Sequence, residues 1–262
     1  MTNLSNIYDV PADTKQVAKH FSYSAKTYRS GAQLQYKVGE RLLSMREAAR
    51  SDLTLDLGCG PGLFSQELRE LSEQLLSLDM SSRMLAQNQS AEKLVQADSH
   101  ALPFLDESFD FVYSSLMVQW CDLTRVLQEV QRVLKPGGQL LMSTLVTGSL
   151  NELQSSWQAV DNDQHIHDYL NFEQVEKTLD AASWKKGACS LEKEVFWFDN
   201  AKCLAKELKA LGANYVENRK SKGLVTRAKW QKMENAYRNR YFDSEHQAIP
   251  ATYYVTYINL IK

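Results

Sequence analysis

A short apolar segment that runs into a glycine-rich turn constrains the fold of this chain more than any other feature. Residues 53–57 are apolar at alternate positions, the turn Gly58-Cys59-Gly60-Pro61-Gly62 follows at once, and residues 63–71 have helical spacing. A strand, a glycine-rich turn and a helix in this order are typical of the first unit of a nucleotide-binding sheet. Because glycine lets the backbone approach a ligand closely, the turn is also a predicted binding site.

Strands and helices continue to alternate as far as residue 146. We predict further strands at residues 93–96, 109–114 and 139–145, and a helix at residues 126–134. This alternation predicts an α/β fold with a mostly parallel sheet and helices on both faces. Ligands of such sheets bind beyond the carboxyl ends of the strands, so residues at those ends are the candidates for binding.

The second half of the chain mixes helices with strands. We predict helices at residues 150–160 and 172–182, a strand at residues 190–198, a basic helical region, and a strand-rich tail at residues 252–261. No internal repeat or low-complexity linker interrupts the chain, and 44% of its 262 residues are hydrophobic, which is enough to fill one large core. We therefore expect a single domain over residues 1–262.

Three acidic residues at successive strand ends indicate which ligand the turn binds. Nicotinamide and flavin enzymes also use a glycine-rich turn, but Asp56 would repel their pyrophosphate and would attract the ammonium of a methionine group. Asp79 lies 23 residues beyond Asp56, after the next apolar run, where a carboxylate can accept both ribose hydroxyls. Asp98 follows the third strand and is placed for the amino group of adenine. The pattern predicts S-adenosylmethionine as the cofactor.

The predicted cofactor site consists of the acids, the turn and their neighbours. Its members are Asp56, Gly58, Cys59, Gly60, Gly62, Asp79, Met80, Asp98, Ser99 and Ser114.

No metal site is expected. The four cysteines, Cys59, Cys121, Cys189 and Cys203, include no C-x-x-C pair, which argues against zinc and against a disulfide framework. The polar segment 161–168 contains two histidines, but its spacing matches no calcium loop. We interpret it as a polar turn.

Positive charge is concentrated in one segment of a chain whose net charge is only −2. Residues 201–240 contain eleven Lys or Arg against three acidic side chains. This asymmetry is consistent with an acidic partner or substrate and equally with a solvated basic helix.

No stretch approaches the roughly 18 apolar residues of a membrane span, and no signal sequence is evident. We therefore expect a cytoplasmic protein that binds neither membrane nor nucleic acid.

Longer sequence blocks carry a resemblance to a known family. They are segments 116–121, 144–150, 195–199 and 208–213, together with Trp157 and the N-terminal pattern Phe21, Ala25, Tyr28, Ala32 and Gln35. With these blocks the chain resembles the malonyl-acyl-carrier-protein O-methyltransferases of biotin synthesis, which are class I S-adenosylmethionine-dependent methyltransferases. The resemblance covers nearly the whole chain, whereas residues 213–250 match mainly through 224–227.

The resemblance implies both a fold and a reaction. The fold would be Rossmann-like, with a mostly parallel seven-stranded sheet, an N-terminal helical cover at 1–50, a cofactor-binding core at 51–146, and substrate-side helices and C-terminal strands at 147–262. The enzyme would methylate the free carboxylate of a malonyl thioester on acyl carrier protein, giving a methyl ester primer for the pimeloyl chain of biotin. A carboxylate is already ionised at neutral pH, so no general base is required.

Residues for the substrate and the partner follow from the same resemblance and from charge. The substrate-contact candidates are Tyr28, Gln119, Trp120 and Arg227, although the two aromatic residues could equally belong to the core. The candidates for docking an acidic carrier protein are Lys206, Lys209, Lys220 and Lys222. Three alternatives stay open at this point: a coenzyme A thioester as substrate, a free small carboxylic acid or quinone precursor as substrate, and a cofactor-binding protein without catalysis.

Overall fold

A single mixed sheet dominates the computed structural model, which describes residues 12–47, 50–90, 92–182, 184–213, 216 and 225–262. The strands of this sheet are β1 (Ser51–Leu57), β2 (Ser72–Asp79), β3 (Lys93–Gln96), β4 (Phe109–Ser115), β5 (Leu134–Leu145), β6 (Lys186–Phe198) and β7 (Ile249–Ile261). The helices are α1 (Ala12–Ser24), α2 (Gln33–Leu43), α3 (Ser65–Glu70), α4 (Ser82–Leu85), α5 (Leu123–Val133), α6 (Asn151–Gln158), α7 (Phe172–Asp180), α8 (Ala201–Leu211) and α9 (Arg227–Tyr241). Short 3-10 turns lie at Tyr28–Gly31 and Val118–Trp120.

The strand order is β3-β2-β1-β4-β5-β7-β6. The first five strands in this order are parallel, and β7 runs antiparallel between β5 and β6. The chain leaves β1 toward one edge of the sheet and returns to build the other edge from β4, so the carboxyl ends of β1 and β4 flank the switch point where ligands bind in such sheets. The predicted mostly parallel seven-stranded α/β sheet is confirmed.

Two apolar layers cover the sheet, one on each face. Helix α5 buries Leu123, Val126, Leu127, Val130 and Val133, which share one face of the helix, against one side of the sheet. On the other side, α2 packs against alternate residues of β4 and β5, and α3 packs against β1 and β2. Helices α6, α8 and α9 extend this second layer beyond the strand ends.

The element boundaries differ from the sequence predictions where side chains or backbone irregularities intervene. Helix α5 begins at Leu123 instead of residue 126 because the Asp122 side chain caps it, accepting a hydrogen bond from the Arg125 amide at 3.2 Å. The predicted turn at residues 135–138 lies inside β5, as a bulge across which the register with β4 shifts.

None of the helices in the described ranges combines the length and apolarity needed to cross a membrane.

Candidate functional site

The glycine-rich turn between β1 and α3 is pinned to the neighbouring strand. The amides of Gly58 and Cys59 both donate to the Leu78 carbonyl, at 2.8 and 3.0 Å. Gly58 has φ +72°, and a Cβ atom there would lie 2.2 Å from Cγ of Met117. Gly60 has φ +53°, and a Cβ atom there would meet nothing within 4 Å. Glycine is therefore required at position 58, where a side chain would clash with Met117 and strain the backbone. At position 60 the backbone faces open space.

That open space is a cavity of about 710 Å³, partly open to solvent, which we call the main cavity. One wall is formed by the strand-end loops and the other by α1, through Val17, Ala18 and Phe21. Tyr28 and Trp120 close one end. The cavity thus lies at the switch point of the sheet and beneath N-terminal residues, where the sequence predicts a cofactor.

Asp79 is held through both of its carboxylate oxygens. Its Oδ2 accepts a hydrogen bond from the Gly60 amide at 2.9 Å, and its Oδ1 accepts one from the Ser81 amide at 2.7 Å. Burial raises the pKa of Asp79 to about 6, even though both amide bonds favour the ionised form. Each oxygen keeps a lone pair beyond these bonds, so the carboxylate can still accept hydrogen bonds from a bound diol.

Asp56 lies on the other side of the turn, in an adjoining space of about 380 Å³ that we call the turn cavity. The side chain is buried, and the one hydrogen bond it makes with the described residues is a long one, 3.4 Å from the Ser65 hydroxyl. Burial raises the pKa of Asp56 to about 7. A single long hydrogen bond offsets little of the free-energy cost of burying a charged carboxylate. Such a site favours binding of a cationic group. The predicted ammonium contact fits this environment.

The remaining predicted cofactor residues divide into two groups. Gly58, Gly60, Asp79, Met80, Asp98 and Ser99 line the main cavity, and Cys59 joins Asp56 in the turn cavity. The structure does not place Gly62 or Ser114 in either lining. Gly62 packs against Asn88, and the Ser114 hydroxyl donates to the Leu57 carbonyl at 2.9 Å inside the sheet. The next residue, Ser115, faces both cavities, because side chains alternate along a strand.

A third space, the aromatic cavity, shares Phe21, Tyr28 and Trp120 with the main cavity and has a volume of about 540 Å³, partly open to solvent. The Phe21 ring packs edge to face against the Trp120 ring, with 5.5 Å between the ring centroids. The centroid of the Tyr28 ring lies 6.4 Å from that of Phe21. A tyrosine hydroxyl is protonated at neutral pH, and burial raises the pKa of Tyr28 further. Tyr28 and Trp120 are therefore wall residues between two cavities, in addition to being packed aromatics.

Gln119 also lines the aromatic cavity. Its Nε2 donates to the Leu116 carbonyl at 2.8 Å, and its buried Oε1 has no hydrogen-bond partner among the described residues. From the opposite side, α8 contributes Glu207 and Leu208. Burial raises the pKa of Glu207, which favours its uncharged form.

The predicted basic residues lie on the outer surface where they are described. Lys202, Lys206 and Lys209 are exposed on the face of α8 opposite the aromatic cavity. Arg227, the first residue of α9, is exposed and lines none of the three cavities. Lys220 and Lys222 lie outside the described residues.

The polar turn at 161–168 is tied to the protein by its own charges. Asp161 hydrogen-bonds His165 through Oδ1 and Lys229 through Oδ2, each at 2.7 Å. The hydrogen bond from Lys229 and, to a smaller extent, the one from His165 hold the pKa of Asp161 well below its usual range. Asp163 also lies close enough for the three side chains to share an ion. Lys229 already supplies a cation to Asp161. We therefore interpret the cluster of Asp161, Asp163 and His165 as a structural link between the polar turn and α9.

Comparisons with known proteins agree with this geometry. The model of the family described as "Methyltransferase domain" matches residues 55–142. A malonyl-[acyl-carrier protein] O-methyltransferase from Hamiltonella defensa is 38% identical over 236 residues, covering 88% of this chain and 90% of that protein. The corresponding protein from Enterobacter lignolyticus is 34% identical, covering 94% of this chain and 96% of the relative.

Solved structures show the same fold at low sequence identity. A putative methyltransferase from Bacillus halodurans is 17% identical, with a TM-score of 0.60 over 85% of this chain and 97% of that one. The [4+2]-cyclase SpnF has a TM-score of 0.59 at 17% identity, over 97% and 98% of the two chains. Since these neighbours differ in their named activities, they establish the class I methyltransferase fold alone.

Proposed function

Because the chain belongs to the family of malonyl-[acyl-carrier protein] O-methyltransferases, we propose that it methylates the free carboxylate of a malonyl thioester carried on acyl carrier protein. The chain is an S-adenosylmethionine-dependent methyltransferase. The methyl ester product would serve as the primer for the pimeloyl chain of biotin. The observation that carries the proposal is the aromatic cavity, which joins the main cavity at Tyr28 and Trp120 and lies beneath the basic helix α8.

The cavities fit the cofactor group by group. Asp56 offers a buried negative charge to the ammonium, Asp79 offers acceptors to the ribose, and Asp98 offers an acceptor to the adenine amino group. S-adenosylmethionine, when bound, supplies an activated methyl group. Apolar contacts from Met80 and Phe21 complete the enclosure.

The protein's contribution to the reaction is positioning and exclusion of water. Malonyl carboxylate is ionised at neutral pH, given a reference pKa of about 4, and therefore needs no base. No histidine lies among the described residues that line the aromatic cavity. The Tyr28 hydroxyl, which is protonated at neutral pH, is a donor that can orient a carboxylate oxygen. Aromatic walls that restrict the substrate between two cavities promote transfer through proximity.

The outer face of α8 is the proposed docking surface for the carrier protein. Lys202, Lys206 and Lys209 recur at intervals of four and three residues and so share one face, while Glu207 and Leu208 of the same helix line the aromatic cavity. An acidic partner bound there would lie directly over the substrate space. Opposite charges of this kind accelerate encounter and are screened by salt. Arg227, exposed at the start of α9, is a further candidate for this surface, and Lys220 and Lys222 stay docking candidates that lie outside the described residues.

Charge reversal on α8 tests the docking proposal. We expect Lys206→Glu together with Lys209→Glu to raise KM for malonyl-acyl carrier protein at least tenfold at low salt, while KM for malonyl-coenzyme A and cofactor affinity change little. The matched control reverses Lys93 and Lys177, which are exposed elsewhere on the protein. An equal effect of both double variants, or none from the α8 pair, would refute the docking surface.

We further propose that the reaction takes place in the cytoplasm. Fractionation of cells that express the tagged protein tests this location directly.

A further inference from the structure

His100 follows Asp98 by two residues and is not part of the main-cavity lining. Its Nδ1 is 2.7 Å from Asp98 Oδ1, and its backbone amide donates to the same oxygen at 3.0 Å. The His100 side chain is 5% exposed and the Asp98 side chain 13%. Among the described residues both hydrogen bonds to this carboxylate go to Oδ1. The second oxygen, Oδ2, is therefore the atom left for a ligand.

The other ring nitrogen of His100 contacts a different loop. The Asp122 amide donates to Nε2 at 2.9 Å, which requires an unprotonated Nε2. Nδ1 then carries the ring proton and donates it to Asp98. The Asp98 carboxylate raises the pKa of His100, while the amide hydrogen directed at Nε2 favours the neutral ring. The geometry assigns the neutral tautomer with the proton on Nδ1.

Asp122 ends the loop that carries Gln119 and Trp120. Its side chain caps α5, so its backbone position is defined from both sides. Trp120 lines the main cavity and the aromatic cavity, and Gln119 lines the aromatic cavity. The His100 imidazole thus connects Asp98, the acidic residue beside the predicted adenine, to the Gln119–Trp120 loop. This loop lies between the predicted cofactor and substrate spaces.

We propose that His100 is a positioning residue that directs Asp98 Oδ2 toward the adenine amino group and holds the Gln119–Trp120 loop in register with it. Two donors that approach one oxygen from different positions restrain rotation of the carboxylate, so its second oxygen accepts from a defined direction. A 6-amino purine donates to that oxygen, whereas a 6-oxo purine presents an acceptor and is rejected. His100 therefore contributes to selection of the adenine cofactor without touching it.

Two conservative variants separate the two contacts. In His100→Asn the amide nitrogen takes the place of Nδ1, which preserves the bond to Asp98 and removes the one from Asp122. In His100→Gln the amide oxygen reaches the place of Nε2, which preserves the second bond and removes the first. The readout is the affinity for S-adenosylhomocysteine relative to S-inosylhomocysteine, measured by titration calorimetry. Each variant's thermal unfolding is recorded to confirm that it folds.

The expected results differ between the variants. The parent and His100→Asn should prefer the adenine ligand by at least tenfold, and His100→Gln should lose most of that preference. His100→Asn should instead lower kcat for methyl transfer severalfold, because the substrate-side loop is released. Equal weakening of both ligands in both folded variants would show a merely structural role and overturn the proposal.

Asp98→Ala separates the proposal from its premise. If Asp98 contacts adenine, this variant loses the preference, and adding His100→Gln to it changes the ratio no further. If Asp98→Ala retains the preference, the adenine contact lies elsewhere and the role given to His100 fails with it. Neither result depends on the carrier-protein substrate, because only ligand binding is measured.

Discussion

Cofactor affinity should fall steeply as the pH is lowered from 8 to 6. Burial raises the pKa of Asp56 to about 7 and that of Asp79 to about 6 in the ligand-free protein. The proposed contacts with the ammonium and the ribose hydroxyls require both groups in their ionised forms. At pH 6 the protein must therefore release protons to bind the cofactor, and this requirement weakens the observed affinity.

The size of the effect follows from the two pKa values. A group of pKa 7 that must be ionised reduces affinity about tenfold between pH 8 and pH 6, and one of pKa 6 reduces it about twofold. Together they predict a loss of about 20-fold, or about 1.8 kcal/mol. Asp56→Asn removes the larger component, so its weaker binding should vary only about twofold over the same range.

Titration calorimetry with S-adenosylhomocysteine measures both affinity and proton release. Comparing buffers of different ionisation enthalpy at pH 6.5 should reveal a net proton released by the parent and less by Asp56→Asn. Asp52→Asn, an exposed change on the same strand, is the matched control and should behave as the parent does. A flat affinity between pH 6 and pH 8, or an unchanged pH dependence in Asp56→Asn, would refute this account of the turn cavity.

Three further results are expected. Asp79→Ala should weaken S-adenosylhomocysteine binding by about 1.5–3 kcal/mol through loss of charge-assisted hydrogen bonds, and unchanged affinity in the folded variant would contradict its role. Gly58→Ala should lower the free energy of unfolding by about 2 kcal/mol or more in denaturant titration, because the new Cβ would meet Met117 at a positive φ; a neutral result would show that Met117 yields. Treatment with EDTA should leave methyl transfer unchanged, since the proposed chemistry uses no metal, and activity restored by zinc or magnesium would contradict it.

The core of the site was predictable because it depends on local pattern and on sheet topology. Asp56 is the penultimate residue of β1, Asp79 is the last residue of β2, and Asp98 follows β3 by two residues. Parallel pairing places those strand ends side by side. The register Asp79↔Gln96 shows directly how β2 and β3 bring the second and third acids to one edge. A sequence with this pattern has few other ways to arrange its acids.

Other features depend on contacts that the pattern does not contain. Ser114 lies in neither cavity lining, because alternation along β4 directs its neighbour Ser115 toward the cavities instead, and a cofactor contact of Ser114 stays a prediction. Met117 meets the turn at Gly58, and His100 reaches Asp122, only through the folded loops. The roles of Arg227 and the basic residues near it stay predictions, as does the division of the chain into cover, core and substrate side.

The most direct test of the central claim compares methyl acceptors side by side. Purified protein is given labelled S-adenosylmethionine with malonyl-acyl carrier protein, malonyl-coenzyme A or free malonate, each at several salt concentrations. We predict a base-labile methyl ester on the malonyl group, formed with the highest kcat/KM on the carrier protein and less efficiently as salt increases. Equal efficiency with free malonate, or a methyl group on carbon or nitrogen, would contradict the proposed function.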